Sequence, residues 1–184
     1  MKKIKMFAIL AICLIVVSGC GCSPNMSATK TVDRYLDRYR SEDQVILNEL
    51  DTFIDGENLT SEQKAIYRDV LKKQYRNLKY SITDEKYDGD TANITVKITV
   101  YDLYKVQKNA ELYMSNNIGE FYDEDGVYDK TLYINYKLDK MKNATDTVDY
   151  TLNIKLEKRD GTWFVVQLSD TDLEKIHGVY NYES

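Results

Sequence analysis

The sequence predicts an α+β fold: a curved antiparallel sheet of about four strands, in two hairpins, wrapped over N-terminal helices. Three observations lead there. Apolar residues recur at helical spacing from Val32 to Leu71. The period then switches to two, in Leu78, Tyr80 and Ile82, in the run Ala92, Ile94, Val96, Ile98 and Val100, and again in Val148, Tyr150, Leu152, Ile154 and Leu156. An Asp-Gly pair interrupts each alternating region, at Asp88-Gly89 and Asp160-Gly161, which is the strongest short-range hairpin signal. Strands grouped in hairpins, with helices before, between and after them, argue for helices on one side of an antiparallel sheet.

Each element has its own justification. Val32, Tyr35, Leu36 and Tyr39 share a helical face, so a first helix is expected within Ser27 to Tyr39. Ser41-Glu42-Asp43-Gln44 and Thr60-Ser61-Glu62-Gln63 both have the capping-box spacing, Ser or Thr three residues before Gln. They predict helices from about Glu42 to Phe53 and from Ser61 to Asn77. The apolar faces would be Val45, Ile46, Leu50 and Phe53, then Ala65, Ile66, Val70 and Leu71, with a break at Asp55-Gly56-Glu57-Asn58. Asp102 opens a further helix with Leu103, Val106, Ala110 and Tyr113 on one face. Gly119 to Asp129 reads as an acidic loop. Tyr128 to Lys142 carries both periods: Leu132, Ile134, Leu138 and Met141 suit a helix, while Tyr133, Ile134 and Tyr136 have strand propensity; helix is the expectation. Trp163 to Leu168 is apolar on both faces over its middle, which predicts a central strand. Ser169-Asp170 caps a last helix through Ile176, and Gly178 is its stop.

The N-terminus follows a different grammar. Lys2, Lys3 and Lys5 precede an apolar run of twelve residues, Met6 to Val17, and Ser18-Gly19 then supplies small residues. This is the order of a secretory signal, and a span needs about 20 helical residues. Val17-Ser18-Gly19-Cys20 resembles the end of a bacterial lipoprotein signal. The resemblance implies cleavage between Gly19 and Cys20 and a diacylglycerol thioether on Cys20; two acyl chains anchor stably where one is marginal. Cys22 is a poorer fit to the same pattern, and Cys13 lies in the removed segment. The expected organisation is a signal peptide at residues 1–19, a lipid-anchored tether at 20–26 and a single α+β domain at 27–184. The partner on this reading is the membrane, through the lipid at Cys20, at the outer face of the bacterial cytoplasmic membrane. Losing Lys2, Lys3 and Lys5 takes 25 basic residues to 22 against 30 acidic ones, a net charge of −8. Such a domain is a poor partner for nucleic acid or anionic headgroups, whose binding rests on Lys and Arg. With Cys20 lipidated, only Cys22 remains and no internal disulfide forms, so the hydrophobic core must hold the domain.

Most chemistry finds no residues to carry it, and no cofactor is expected. The single histidine, His177, lies at the end of the last predicted helix, where a cation complements the helix dipole. Asp123-Glu124-Asp125-Gly126-Val127-Tyr128-Asp129 is the best calcium candidate but fails the EF-hand spacing, so a solvated acidic turn is expected. No Gly-rich phosphate loop follows a strand. Tyrosine is the compositional excess, sixteen against four Phe and one Trp. Tyrosine is enriched at binding surfaces; an AT-rich genome also enriches it, and that account stands beside the first.

The N-terminal helix set, the long alternating strands and the terminal hairpin Arg159-Asp160-Gly161-Thr162-Trp163-Phe164-Val165-Val166 resemble the nuclear transport factor 2-like (cystatin-like, ketosteroid-isomerase-like) fold, over about Ser27 to Gly178. That fold hosts unrelated functions. The expectation is a non-enzymatic extracytoplasmic binding module for a protein, peptide or glycan. The alternative that the resemblance implies is a small proton-transfer enzyme, isomerase- or dehydratase-like, using Asp and Tyr in the cone between sheet and helices; no residue can be assigned to it. The two differ in whether the concave face is packed shut or holds a shifted acid beside a phenol.

Overall fold

The computed structural model describes residues 26–183. The signal segment, Gly19, Cys20 and the tether up to residue 25 lie outside the described residues. Three helices come first: α1 (Ala28–Arg40), α2 (Gln44–Asp55) and α3 (Ser61–Arg76). Strands β1 (Lys79–Asp88) and β2 (Thr91–Tyr101) follow, then α4 (Leu103–Asn116), a 3-10 turn (Ile118–Phe121) and α5 (Lys130–Lys142). Strands β3 (Thr147–Arg159) and β4 (Thr162–Val165) and the helix α6 (Asp170–His177) complete the order. Tyr128 to Lys142 thus resolves to helix from Lys130 onward. No helix among the described residues is long and apolar enough to cross a membrane.

The sheet is an antiparallel meander in the order β1-β2-β3-β4. In the β3–β4 turn both Asp160 and Gly161 have positive φ, as the two central residues of a primed hairpin turn require. β2 and β3 run side by side from Thr91↔Glu157 to Tyr101↔Thr147. β4 is an edge strand, four residues long, paired only with β3; the expectation of a central position is overturned. Its two-faced apolarity has another cause. Trp163 and Val165 pack against the core while α1 lies over the strand, and Phe164 on the opposite face stays 38% exposed.

The helix starts separate a correct capping signal from a decoy. At α3 the box forms: Gln63 N–H donates to Thr60 Oγ1 (3.2 Å) and Thr60 N–H to Gln63 Oε1 (3.1 Å). At α2 the cap is Asp43, whose carboxylate accepts from Val45 N–H (3.0 Å) and from Arg38 (2.8 Å). Ser41 is spent closing α1, with its N–H on Asp37 O and its hydroxyl on Arg38 O, so the predicted box at Ser41 does not form. A carboxylate fixed by a guanidinium is the stronger acceptor, and that bond holds the Asp43 carboxyl below its usual range. Asp43→Ala should cost about 1 kcal/mol, the usual loss of an N-cap; urea unfolding checks it.

The buried faces also sit differently from the pattern. α2 buries Ile46, Leu50 and Ile54, leaving Val45 exposed and Phe53 at the rim. α3 buries Gln63, Tyr67, Gln74 and Tyr75 with Val70 and Leu71, while Ala65 is exposed and Ile66 half-buried. Hydropathy spacing undercounts Gln and Tyr, which enter a core when their polar tips find partners.

On the sheet, Ile94, Val96, Ile98, Leu152 and Ile154 point inward and are fully buried. They join the buried residues of α1, α2, α3, α5 and α6 in one cluster. The inner face is therefore filled. Each fully buried aliphatic contributes about 1.5–3 kcal/mol, which a ligand-sized opening there would forgo. The outer face is polar: Thr99 donates to Asp149 (2.6 Å) and Lys97 pairs with the same carboxylate (2.8 Å).

Four elements are pinned at one point. The buried Gln74 amide on α3 bonds both the N–H (2.9 Å) and the carbonyl (3.0 Å) of Tyr101 at the end of β2. α6 ends at Gly178, φ +74°, with Gly178 N–H on Lys175 O and Val179 N–H on Glu174 O. The Gly178 carbonyl accepts from Tyr104 N–H (2.8 Å) on α4.

Candidate binding face

Exposed large apolar side chains should scatter on a surface with no function. Here they do not. Of the eleven among the described residues, six lie between Leu112 and Leu132: those two with Ile118, Tyr122, Val127 and Tyr128. Leu112 is 62% and Val127 60% exposed. All six belong to the segment that joins β2 to β3.

Aromatic rings pack together within the segment. α4 and α5 pack against each other through Tyr113 and Tyr136, stacked with centroids 4.9 Å apart. Phe121 is buried and edge-on to Tyr133 (5.8 Å) and Tyr136 (5.6 Å). Such pairs add about 0.5–1.5 kcal/mol each beyond their burial. The Tyr113 hydroxyl donates to Glu120 (2.9 Å), and that bond raises its pKa.

The acidic loop is an organised turn. Asp123 Oδ1 accepts from Asp125 N–H (3.0 Å) and Val127 N–H (2.9 Å), and Tyr122 bridges Tyr128 in antiparallel fashion. Asp129 caps α5 through Thr131 N–H (2.7 Å). Two of the carboxylates best placed by sequence for calcium, Asp123 and Asp129, are thus engaged by their own backbone. Among the described residues no three His, Cys, Asp or Glu side chains are grouped to hold a metal.

A shallow cleft of about 420 Å³ runs between α4 and α5. Its apolar lining is Val106, Ala110 and Ala144, with Tyr113 and Tyr136 beside them. Lys105 is paired with Asp146 (2.8 Å) and Lys140 lies over the Tyr136 ring (4.9 Å), so both rim cations already have partners.

The cleft holds the phenols Tyr113 and Tyr136 and the carboxylate of Asp146, which is paired with Lys105; the carboxylates with buried surroundings lie elsewhere. Asp102 is buried, but its carboxylate caps α4 at Lys105 N–H (2.9 Å) and accepts from Tyr182 (3.0 Å). Partial burial and then that bond push the Tyr182 phenol up to about 12. Asp102 does not line the cleft. Burial raises the Glu49 carboxyl, and its charge adds to the raised pKa of Tyr35, Tyr39 and Tyr75. Glu49 nevertheless stands on the exposed side of α2 rather than in a cavity.

His177 departs from its expected role. It is 5% exposed, beneath Phe53 (ring centroids 4.8 Å), with Nε2 2.8 Å from the Tyr75 hydroxyl. Burial lowers its pKa to about 4. At neutral pH it is an uncharged core residue, not a cation on the helix dipole, because desolvation outweighs the dipole's attraction.

Spacing alone missed the members of the exposed face. Leu112 falls off the Leu103, Val106, Ala110, Tyr113 stripe, and Leu132 was assigned to the buried side of its helix yet is exposed. The signal that marks them is apolar residues beside a run of carboxylates: residues 117–129 hold Glu120, Asp123, Glu124, Asp125 and Asp129 and no basic residue.

The fold is α+β, with helices on one face of a four-stranded meander, and the β2–β3 connection carries six exposed large apolar side chains and an acidic turn. No protein-family model, no curated protein and no solved structure matches the chain.

Proposed function

We propose that this protein is a lipid-anchored, non-enzymatic interaction module of the nuclear transport factor 2-like type, held at the outer face of the bacterial cytoplasmic membrane through Cys20. It grips a protein partner with the α4–α5 face. The observation that carries the binding role is that Leu112, Ile118, Tyr122, Val127, Tyr128 and Leu132 are all exposed on one excursion whose two helices are joined by stacked aromatic rings. Apolar anchors on a pre-ordered support lower the ordering cost of association. The carboxylates around them favour a partner segment with Lys or Arg flanking its apolar side chains. The filled inner face supports binding outside the cone, and helices covering the inner face of an antiparallel sheet are in keeping with the fold type.

A photo-activated cross-linker at Leu112 in living cells should yield one discrete protein adduct, and one at Thr95 on the sheet's outer face should not. Leu132→Asp should remove that adduct by at least about tenfold, the effect of losing about 1.4 kcal/mol from a central anchor. Equal yields from both positions would reject the assigned face. In the same cells Cys20→Ala should abolish incorporation of labelled fatty acid; continued labelling would move the anchor to Cys22.

A further inference from the structure

The two hairpin turns and the start of α1 come together at one end of the sheet, and an aromatic pair stands there. Tyr87 is 51% exposed, and its ring meets the half-buried Trp163 edge-on at 5.8 Å. Lys158 lies over the Trp163 ring at 5.7 Å. One carboxylate oxygen, Glu85 Oε2, ties this pair to the beginning of the chain: it accepts from Thr29 Oγ1 (2.7 Å) in the first turn of α1 and from the Tyr87 hydroxyl (2.8 Å). The chain thus enters the fold beside Tyr87 and Trp163.

We infer that this end of the domain rests on the lipid surface, with Tyr87 seated among the headgroups of the bilayer that holds Cys20 and the edge of Trp163 directly behind it. The inference rests on the lipid-anchor reading above. The seven peptide steps from Cys20 to Ser27 reach at most about 25 Å fully extended. A domain of this size has a radius of gyration of about 15 Å, so the tether holds the α1 end toward the membrane. Trp and Tyr prefer the membrane–water interface because an apolar ring and a polar tip both find their medium there.

The tip is acidic like the rest of the domain, so it meets zwitterionic rather than anionic headgroups. Arg159 pairs with Glu157 (2.6 Å) and Lys86 with Asp84 (3.6 Å), and Asp88, Asp90 and Asp160 sit in the turns. With no basic excess, the contact is aromatic rather than electrostatic. It is then insensitive to salt, unlike a polybasic contact.

Trp163 is the only tryptophan, so its fluorescence reports on this end alone. The full-length protein is produced in a bacterium, extracted from membranes and reconstituted in phosphatidylcholine vesicles, with and without brominated acyl chains. The brominated vesicles should cause a loss of Trp163 emission, equal at low and high salt, and Tyr87→Ser should weaken it. Equal emission from both vesicle types overturns the inference, and quenching that salt abolishes replaces the aromatic contact by an electrostatic one. Mass analysis of the Cys20 peptide from the same sample separates the two failures. Cys20 without lipid removes the anchor reading and this inference together, whereas lipidated Cys20 with unquenched Trp163 removes only the inference.

Discussion

Gly178→Ala is expected to be the most damaging single-methyl substitution in the described fold. Its φ of +74° lies in the left-handed region, where a β-carbon costs about 1–2 kcal/mol. The added carbon would also stand 2.2 Å from Gln74 Nε2 and 2.3 Å from the Tyr101 carbonyl oxygen. Gln74 cannot simply move aside, because its amide bonds both backbone groups of Tyr101. Overpacking adds about 1–3 kcal/mol, so a loss of about 3 kcal/mol or more is expected from a total of about 5–15. Gly126→Ala is the control. It has the same sign of φ, +75°, with nothing within 4 Å of the new carbon, and should lose only the backbone share. Urea unfolding of both variants decides the matter; equal losses would mean that crowding at Gly178 contributes nothing.

The second large effect is a loss of stability in mild acid centred on His177. In the unfolded chain the imidazole titrates near 6.5, and in the fold burial lowers it to about 4. Between those values the unfolded state binds the extra proton, so stability falls as pH falls. It is fully present above about 6.5, and the loss is complete below about 4, amounting to about 3 kcal/mol at 1.36 kcal/mol per unit. Carboxylates held low by cationic partners, such as Asp43 by Arg38 and Asp51 by Arg68, lose their share at lower pH still. His177→Gln should flatten the window from about 6.5 to 4 while leaving the lower one intact. Chemical denaturation across that range is the measurement, and an unchanged slope in the variant would refute the buried neutral imidazole.

Much of the fold was legible because backbone chemistry is local. The Asp-Gly turns, the Thr60–Gln63 box, the Ser169 cap and the Gly178 stop each rest on a few adjacent residues, and each formed. The errors arose where a competing partner or packing between elements decided. Ser41 lost its cap to Asp43 because Arg38 comes from the preceding helix. β4 read as central because α1, far away in sequence, covers it. His177 read as cationic because burial by α2 and α3 leaves no trace in its neighbours. The exposed apolar residues of the β2–β3 connection were the least legible feature. Leu112 and Leu132 carry the hydropathy of core residues, and only the packing of α4 on α5 leaves them outside. The aromatic rings packed within the segment were visible only as a surplus of tyrosine.

The connection from β2 to β3 leaves and rejoins the sheet at a single place. Tyr101 faces Thr147 across the ladder, and Asp102 N–H bonds the Asp146 carbonyl (2.9 Å) just beyond. The two central strands therefore keep their register whatever hangs from that clasp, since closing a longer or shorter loop changes the cost only slowly with its length. Insertions in the acidic turn between α4 and α5 can then be absorbed without disturbing the sheet, whereas Ile134, Leu138 and Met141 tie α5 itself to the core. In such an architecture the exposed turn is free to diverge quickly, while the sheet and the packed side of α5 stay the same.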